Sequence, residues 1–302
     1  MSRSAPPVLA ARRRLTLLDL VLFAGLAGFV VFAVYRVDAV LEYRWDWQPV
    51  FNFVFRRDPD GNLVSNLLVQ GLLTTLRLAI WGTIFAGIIG VVMGFWRTSE
   101  LLALRILSRS YVELIRNIPP LVFIFIFYFF IASQIFPALG LEDINPAHPY
   151  VDNPLFRFAF GDPKLLSNFL AGLICLALFE AAYITEIVRA GIQSVPKGQW
   201  EAARAIGLSR FNVLRDIILP QAIRKILPPL AGQFISLIKD SAIVSLISVQ
   251  ELTFMASEVA TSTSRVFETW ILVAALYFGL CYSFSLLFSR AERRARRSLR
   301  KS

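Results

Sequence analysis

With one histidine and two cysteines in 302 residues, the chain has almost nothing from which to build a metal centre or a disulfide framework. His148 lies among prolines in "NPAHPY" and has no partner at ligand or acid–base spacing. Cys175 and Cys281 fall inside apolar runs, where a thiol reads as a small buried hydrophobe. The phosphate loop G-x-x-x-x-G-K-[ST] is missing, and so are H-E-x-x-H and G-x-S-x-G. No catalytic constellation is left, so the expectation is a protein that is not an enzyme and binds no cofactor itself.

Charge is also scarce, at 17% of residues against about 25% in an ordinary soluble domain. In its place stand 56% apolar residues and 26 phenylalanines, with a mean hydropathy of +0.61. That is more apolar surface than one soluble core can hide. Strict polar–apolar alternation over runs of about ten residues, the pattern of a membrane barrel, is absent. The fold class expected is therefore an all-α integral membrane protein.

A helix needs about 20 mainly apolar residues to cross a bilayer. Five runs satisfy this cleanly: Leu15 to Tyr35, Gly71 to Trp96, Ile118 to Leu139, Leu165 to Val188 and Thr269 to Ser289. A sixth, Ile226 to Val249, is interrupted by Lys239 and Asp240. The first run begins like a signal peptide, but it is long for a cleavable segment and no A-x-A site follows, so it reads as a retained anchor.

Basic residues stay on the cytoplasmic side. If both termini are cytoplasmic, the inner segments hold 22 Lys and Arg and the outer ones 7. The inner set includes Arg3, Arg12, Arg13 and Arg14 at one end, and Arg290, Arg293, Arg294, Arg296, Arg297, Arg300 and Lys301 at the other. This arrangement accounts for the net charge of +10 without nucleic acid, and the basic tail fits anionic lipid headgroups. Three parts follow: residues 1–65 with the anchor and an outside loop, a membrane domain over 66–290 with a cytoplasmic loop at 190–225, and a basic tail at 291–302.

Charges within spans must face protein or water. Lys239 would lie about 20 Å into a core about 30 Å thick. Together with Ser241, Ser245, Ser248 and Glu180, the pair Lys239 and Asp240 reads as a polar path or a helix break, or as an ion pair with Glu180. Arg77 is expected to snorkel, and Glu186 to pair with Arg189. Glu113 and Arg116 share a helix face, and Pro119 and Pro120 suit a helix start. Gly82, Ala86, Gly90 and Gly94 form a small-residue row that suits either a subunit interface or packing within the chain.

The longest polar, helix-favouring run is "EAARAIGLSRFNVLRDIILP", Glu201 to Pro220. Pro196 opens a first helix, Gly207 stops it, Ser209 caps a second, and Pro220 is expected to end that one. The alanines give the first helix a low profile, while Ile217, Ile218 and Leu219 pack back on the membrane bundle. A DNA-reading helix-turn-helix would use Arg210, Asn212 and Arg215. It has no third helix to complete a core, so nucleic acid is not expected as a partner.

The order E-A-A, three residues, G, nine residues, I-x-L-P, carried here by Glu201, Ala202, Ala203, Gly207, Ile217, Leu219 and Pro220, resembles the loop of binding-protein-dependent permease subunits of ABC importers. "NLLVQGLLTTLRLA", "YVELIRNIPPL", "AAYITEIVRAGIQSVPKGQWEAA" and "LPQAIRKILPPLAGQFISLIKDSAIVSLISVQEL" resemble the polar amino-acid branch. The likeness runs from about Asn66 to the tail. Asn117, Ile118 and Pro120 depart from the common Gly, Thr and Leu, and an anchor precedes the usual five-span core.

The resemblance implies a bacterial inner-membrane permease whose Glu201 to Gly207 helix docks on a cytoplasmic ATPase dimer, which holds the ATP and Mg. It implies a second permease subunit, identical or homologous, and an extracytoplasmic amino-acid-binding protein. The loops Val37 to Gln70 and Gly140 to Lys164 would either meet that protein or cap the bundle. Lys239, Asp240, Ser241 and Glu180 are the candidates for the amino-acid path. An ion-gradient-driven secondary transporter is the alternative; the broken span favours it, and the lack of visible inverted repeats weighs against it.

Overall fold

The structure is a computed structural model that describes residues 16–41, 43–141, 151 and 153–299. Arg3, Arg12, Arg13, Arg14, Leu15, His148, Arg300 and Lys301 lie outside the described residues. The chain divides into two compact units, Met1–Asp46 and Trp47–Ser302.

Among its described residues the first unit holds one helix, α1 (Leu17–Leu41). Thr16 and Asp19 close its start: the Asp19 Oδ2 accepts from the Thr16 amide at 2.8 Å, and the Asp19 amide donates to the Thr16 hydroxyl at 3.2 Å. This reciprocal pair satisfies donors that a helix start otherwise leaves orphaned.

The second unit opens with the short α2 (Gln48–Phe51) and a hairpin of β1 (Phe55–Arg57) and β2 (Leu63–Ser65), paired antiparallel with Phe55 opposite Ser65. Val50 of α2 is fully buried against Leu68, Leu252 and Ala256, so this segment belongs to the core of the second unit.

The helical elements continue as α3 (Leu67–Thr98), α4 (Leu102–Asn117), α5 (Pro120–Ile126) and α6 (Ser133–Ala138), then α7 (Pro154–Phe160) and α8 (Leu166–Gln193). After these come α9 (Lys197–Ala205), α10 (Arg210–Asn212), α11 (Leu219–Asp240), α12 (Leu252–Thr263) and α13 (Val266–Leu299). Among the described residues six stretches are long and apolar enough to cross a membrane: Leu17–Arg36, Leu67–Thr98, Pro120–Ala138, Pro163–Gln193, Arg210–Ile247 and Val266–Arg294. Each overlaps a span expected from sequence. As expected, α5 starts on Pro120 with Pro119 before it, and it passes through a π turn at Phe127–Ala132 into α6.

Burial in a bilayer gains no hydrophobic energy, since lipid tails are as apolar as leucine, so helices associate by close packing and buried hydrogen bonds. The central element is α8, whose core side chains include Leu173, Leu176, Ile184 and Ile192. It runs beside α3, and the small-residue row is what lets the two meet. A Cβ on Gly90 would lie 2.6 Å from Ile184 Cγ2 and 3.1 Å from the Ala181 carbonyl; one on Gly94 would lie 2.5 Å from Val188 Cγ1. Gly82 faces Leu237 of α11, and Ala86 is fully buried. Of the two readings open in the sequence, the row serves packing within the chain.

Polar side chains complete the joints. Arg97 of α3 and Arg189 of α8 both hold Glu186, at 3.1 and 2.7 Å, so the expected Glu186–Arg189 pair is present with a second cation added. Glu113 pairs with Arg109 at 2.6 Å, while Arg116 lies 5.3 Å from the Tyr183 ring centre. Arg77 does not snorkel freely. Its Nε donates to the Phe158 carbonyl of α7 at 2.8 Å, which fixes the short helix on α3.

Candidate functional site

The polar loop folds as a helix, a tight turn and a second helix. Gly207 takes a φ of +80°, a left-handed conformation that costs an L side chain about 1–2 kcal/mol, and so ends α9 sharply. Two residues later the Ser209 hydroxyl caps α10, accepting from the Asn212 amide at 3.3 Å. Glu100, in the α3–α4 connection, pairs with Arg210 just past the turn.

The second helix does not stop at Pro220. It runs from α10 through a π turn at Val213–Ile218 directly into α11, so the expected break there is overturned. A proline inside an α-helix lacks its own N–H and clashes with the carbonyl four residues back. Here the turn ahead of it is one residue wider: the Leu219 amide donates to the Leu214 carbonyl, five residues back. The looser turn accommodates the ring, and the helix continues.

The two alanines have different surroundings. Ala203 is 4% exposed and packs in one cluster with Val213, Ile218, Ala222 and Val195, while Ala202 and Glu201 face outward. Thus Ala203 is the small residue that seats α9 on the bundle, not part of an outward groove-filling surface. Ile218 is fully buried, as expected, and Ile217 and Leu219 are half-buried. On either side of Gly207, Ile206 and Phe211 are 76% and 67% exposed. The sequence reading passed over them, although two large apolar residues flanking a glycine stop in a polar loop were the available signal.

The intramembrane candidates separate into two groups. Glu180 is fully buried; its Oε2 accepts from the Gln233 side chain, and Oε1 has no hydrogen-bond partner among the described residues. Asp240 lies close enough to act electrostatically on the same carboxyl. A vacant oxygen on a buried carboxyl group can accept from an N–H group. Lys239, by contrast, is exposed and makes no ion pair among the described residues, so the expected ion pair with Glu180 is absent there and Gln233 is the hydrogen-bond partner instead.

The serine hydroxyls donate back along their own helix. Ser241 and Ser245 spend their hydroxyls on the Ile238 and Ala242 carbonyls at 2.8 and 2.7 Å. The helix does change character where Lys239 and Asp240 predicted a break: α11 ends at Asp240, a 3-10 segment covers Ser241–Ile247, and Ser248 turns left-handed at φ 62°. Gln233, which touches Glu180, also lines a cavity of about 480 Å³ together with Arg116, Tyr183, Glu186, Arg189 and Lys225.

A further buried carboxylate went unread. Glu251 caps α12, its Oε1 accepting from the Phe254 amide at 2.9 Å, and its Oε2 accepts from Tyr277 at 2.7 Å and Thr75 at 3.3 Å. Gly71 of α3 allows this approach, since a Cβ there would stand 2.9 Å from the Leu252 Cα. The signal in the sequence was an acidic residue at the head of an apolar helix.

Comparison with known proteins gives a consistent pattern. The family model described as "Binding-protein-dependent transport system inner membrane component" matches residues 86–297. GlnM of Bacillus subtilis, a probable glutamine ABC transporter permease protein, is 34% identical over 77% of this chain and 95% of its own length. GlnP of Rickettsia conorii, a putative glutamine transport system permease, is 32% identical over 75% of this chain and 92% of its own. Among solved structures, an amino acid ABC transporter crystallised with histidines aligns with a TM-score of 0.63 at 32% identity, covering 83% of this chain and all of that one. The MetNI methionine ABC transporter aligns with a TM-score of 0.59 at 19% identity, over 76% of this chain and 95% of that chain, which shows a shared fold.

Proposed function

We propose, from the premise that this chain belongs to the binding-protein-dependent transport system inner membrane component family, that it moves polar amino acids into the cell on the power of a separate ATPase. It is a multi-pass inner-membrane permease subunit of an ABC importer, a class that is not itself enzymatic and works with an ATPase and a binding protein. The particular substrate, orientation and docking residues are our reading.

The observation that carries the reading is the tip of the polar loop. Glu201, Ala202, Ile206, Gly207 and Phe211 stand exposed on a turn whose inner side is fixed by Ala203, Val213 and Ile218. A surface that must transmit movement needs an outward apolar contact and a rigid seat. Here the ATPase pair, holding ATP and Mg, docks on that tip, with the loop and both termini in the cytoplasm. Ile217, Leu219 and Pro220 lead its displacement into the span of α11. A second permease copy or homologue completes the transporter, and an extracytoplasmic binding protein delivers the amino acid.

Within the membrane, the vacant oxygen of Glu180 beside Asp240 suits the ammonium group of an amino acid. The decisive experiment is uptake into proteoliposomes with ATP inside and binding protein outside. A requirement for both, across a panel of amino acids, supports the importer and identifies its substrate. Uptake driven by an ion gradient without ATP overturns it.

A further inference from the structure

The end of α13 carries a one-sided row of cations. The helix runs unbroken from Val266 to Leu299, and its apolar stretch closes at Phe288, which packs on Phe234 of α11 at 5.6 Å between ring centres. Beyond it come Arg290, Arg293, Arg294, Arg296 and Arg297 with one acidic residue, Glu292. At about 100° per residue, these five arginine positions fall within roughly 160° of the helix circumference. Ala291, Glu292, Ala295, Ser298 and Leu299 take the remaining arc.

Arg290, Arg293 and Arg294 are exposed. The side chain of Arg293 donates to the Ser289 hydroxyl at 3.3 Å, and none of the three meets a carboxylate among the described residues. One turn of helix rises about 5.4 Å, so the first row of cations follows the apolar span by less than a turn and lies at the depth of the headgroups. Each cation near an anionic membrane surface gains about as much as a fivefold increase in binding.

We propose that this face of α13 is a binding surface for anionic phospholipid headgroups, held by Arg290, Arg293 and Arg294. Charge complementarity and direct continuity with a membrane span select lipid as the occupant. The inference needs only that the chain crosses the membrane, whatever drives transport.

The test uses the full chain in nanodiscs of phosphatidylglycerol and phosphatidylcholine, counting lipids retained after gentle detergent release by native mass spectrometry. The wild-type chain is expected to retain phosphatidylglycerol preferentially. The triple variant Arg290→Ser, Arg293→Ser, Arg294→Ser is expected to lose that preference by roughly tenfold or more. The matching triple Lys variant is expected to keep it, since a headgroup reads charge and not the guanidinium fork. Equal retention of the two lipids by the wild-type chain overturns the proposal, and so does an unchanged preference in the Ser variant. If the Ser variant keeps its lipid but loses association with the ATPase, the row is a protein-docking surface and the proposal also fails. Transport is not read in any arm, so this result and the importer reading stand or fall separately.

Discussion

The hydroxyl of Tyr277 donates to Glu251 at 2.7 Å, joining α13 to the head of α12. With Thr75 on α3 bonded to the same carboxylate oxygen, three elements meet at one fully buried acidic group. Removing one partner leaves the others unsatisfied in a dry environment. Tyr277→Phe is therefore expected to cost about 1–2 kcal/mol, and Glu251→Ala about 3 kcal/mol. Thermal unfolding of the purified protein in detergent measures both; a Glu251→Ala protein as stable as wild type refutes the joint.

The contact of α3 with α8 is similarly specific. Gly90→Ala introduces a methyl 2.6 Å from Ile184 Cγ2, and the overlap is expected to cost about 1–3 kcal/mol. Ile184→Ala in the same chain is expected to restore much of that loss, because the two changes share one space. A double-mutant cycle on unfolding midpoints reads the coupling, and additive effects count against the packing described.

Gly207 is a position where backbone and proposed function coincide. Gly207→Val forces a β-branched residue to φ +80°, at a cost of about 1 kcal/mol or more. The strain alters the docking tip, so ATP-driven uptake is expected to be lost while insertion is normal. Gly207→Asn, which tolerates the left-handed region, is expected to retain uptake. Full uptake by the Val variant would mean that the turn shape is irrelevant to coupling.

Ile206 and Phe211 are exposed, so truncating them leaves the fold intact. Ile206→Ser with Phe211→Ser is expected to change stability by less than about 0.5 kcal/mol. Binding of the ATPase subunit is expected to weaken by about 2 kcal/mol or more, the scale of an apolar hot spot. Size-exclusion chromatography of the assembled transporter shows whether the subunit is lost, and an intact complex removes these residues from the interface.

Glu180→Gln removes the ionisable group while keeping an oxygen for the Gln233 contact. Uptake is expected to fall with little change in expression or unfolding midpoint. Unimpaired transport would take the carboxylate out of the amino-acid path.

The spans were legible because a bilayer imposes a length and a composition that a sequence displays directly. Gly207 and Ser209 were also legible, since their roles rest on their own backbone and on neighbours within three residues. Other features depend on what lies across the fold. Glu251 draws on Thr75, 176 positions away, and on Tyr277, 26 away. Which alanine of the pair turns inward is set by where Val213 and Ile218 stand, and composition could not reveal that. Pro220 misled because its usual effect presumes a regular α-turn before it, whereas the turn here is wider.

The same helix carries two more prolines, Pro228 and Pro229, side by side within α11. Neither can donate to the carbonyls of Arg224 and Lys225 four residues back, so the ladder lacks two adjacent rungs in the middle of the rod. A rod with missing rungs stays stiff to a thrust along its axis yet yields to bending at one place. The segment from Arg210 to Asp240, about 45 Å long, is in mechanical terms a lever with an elbow. The arm before the prolines can swing with the proposed docking tip while the arm after them keeps its seat, through Leu237, against Gly82.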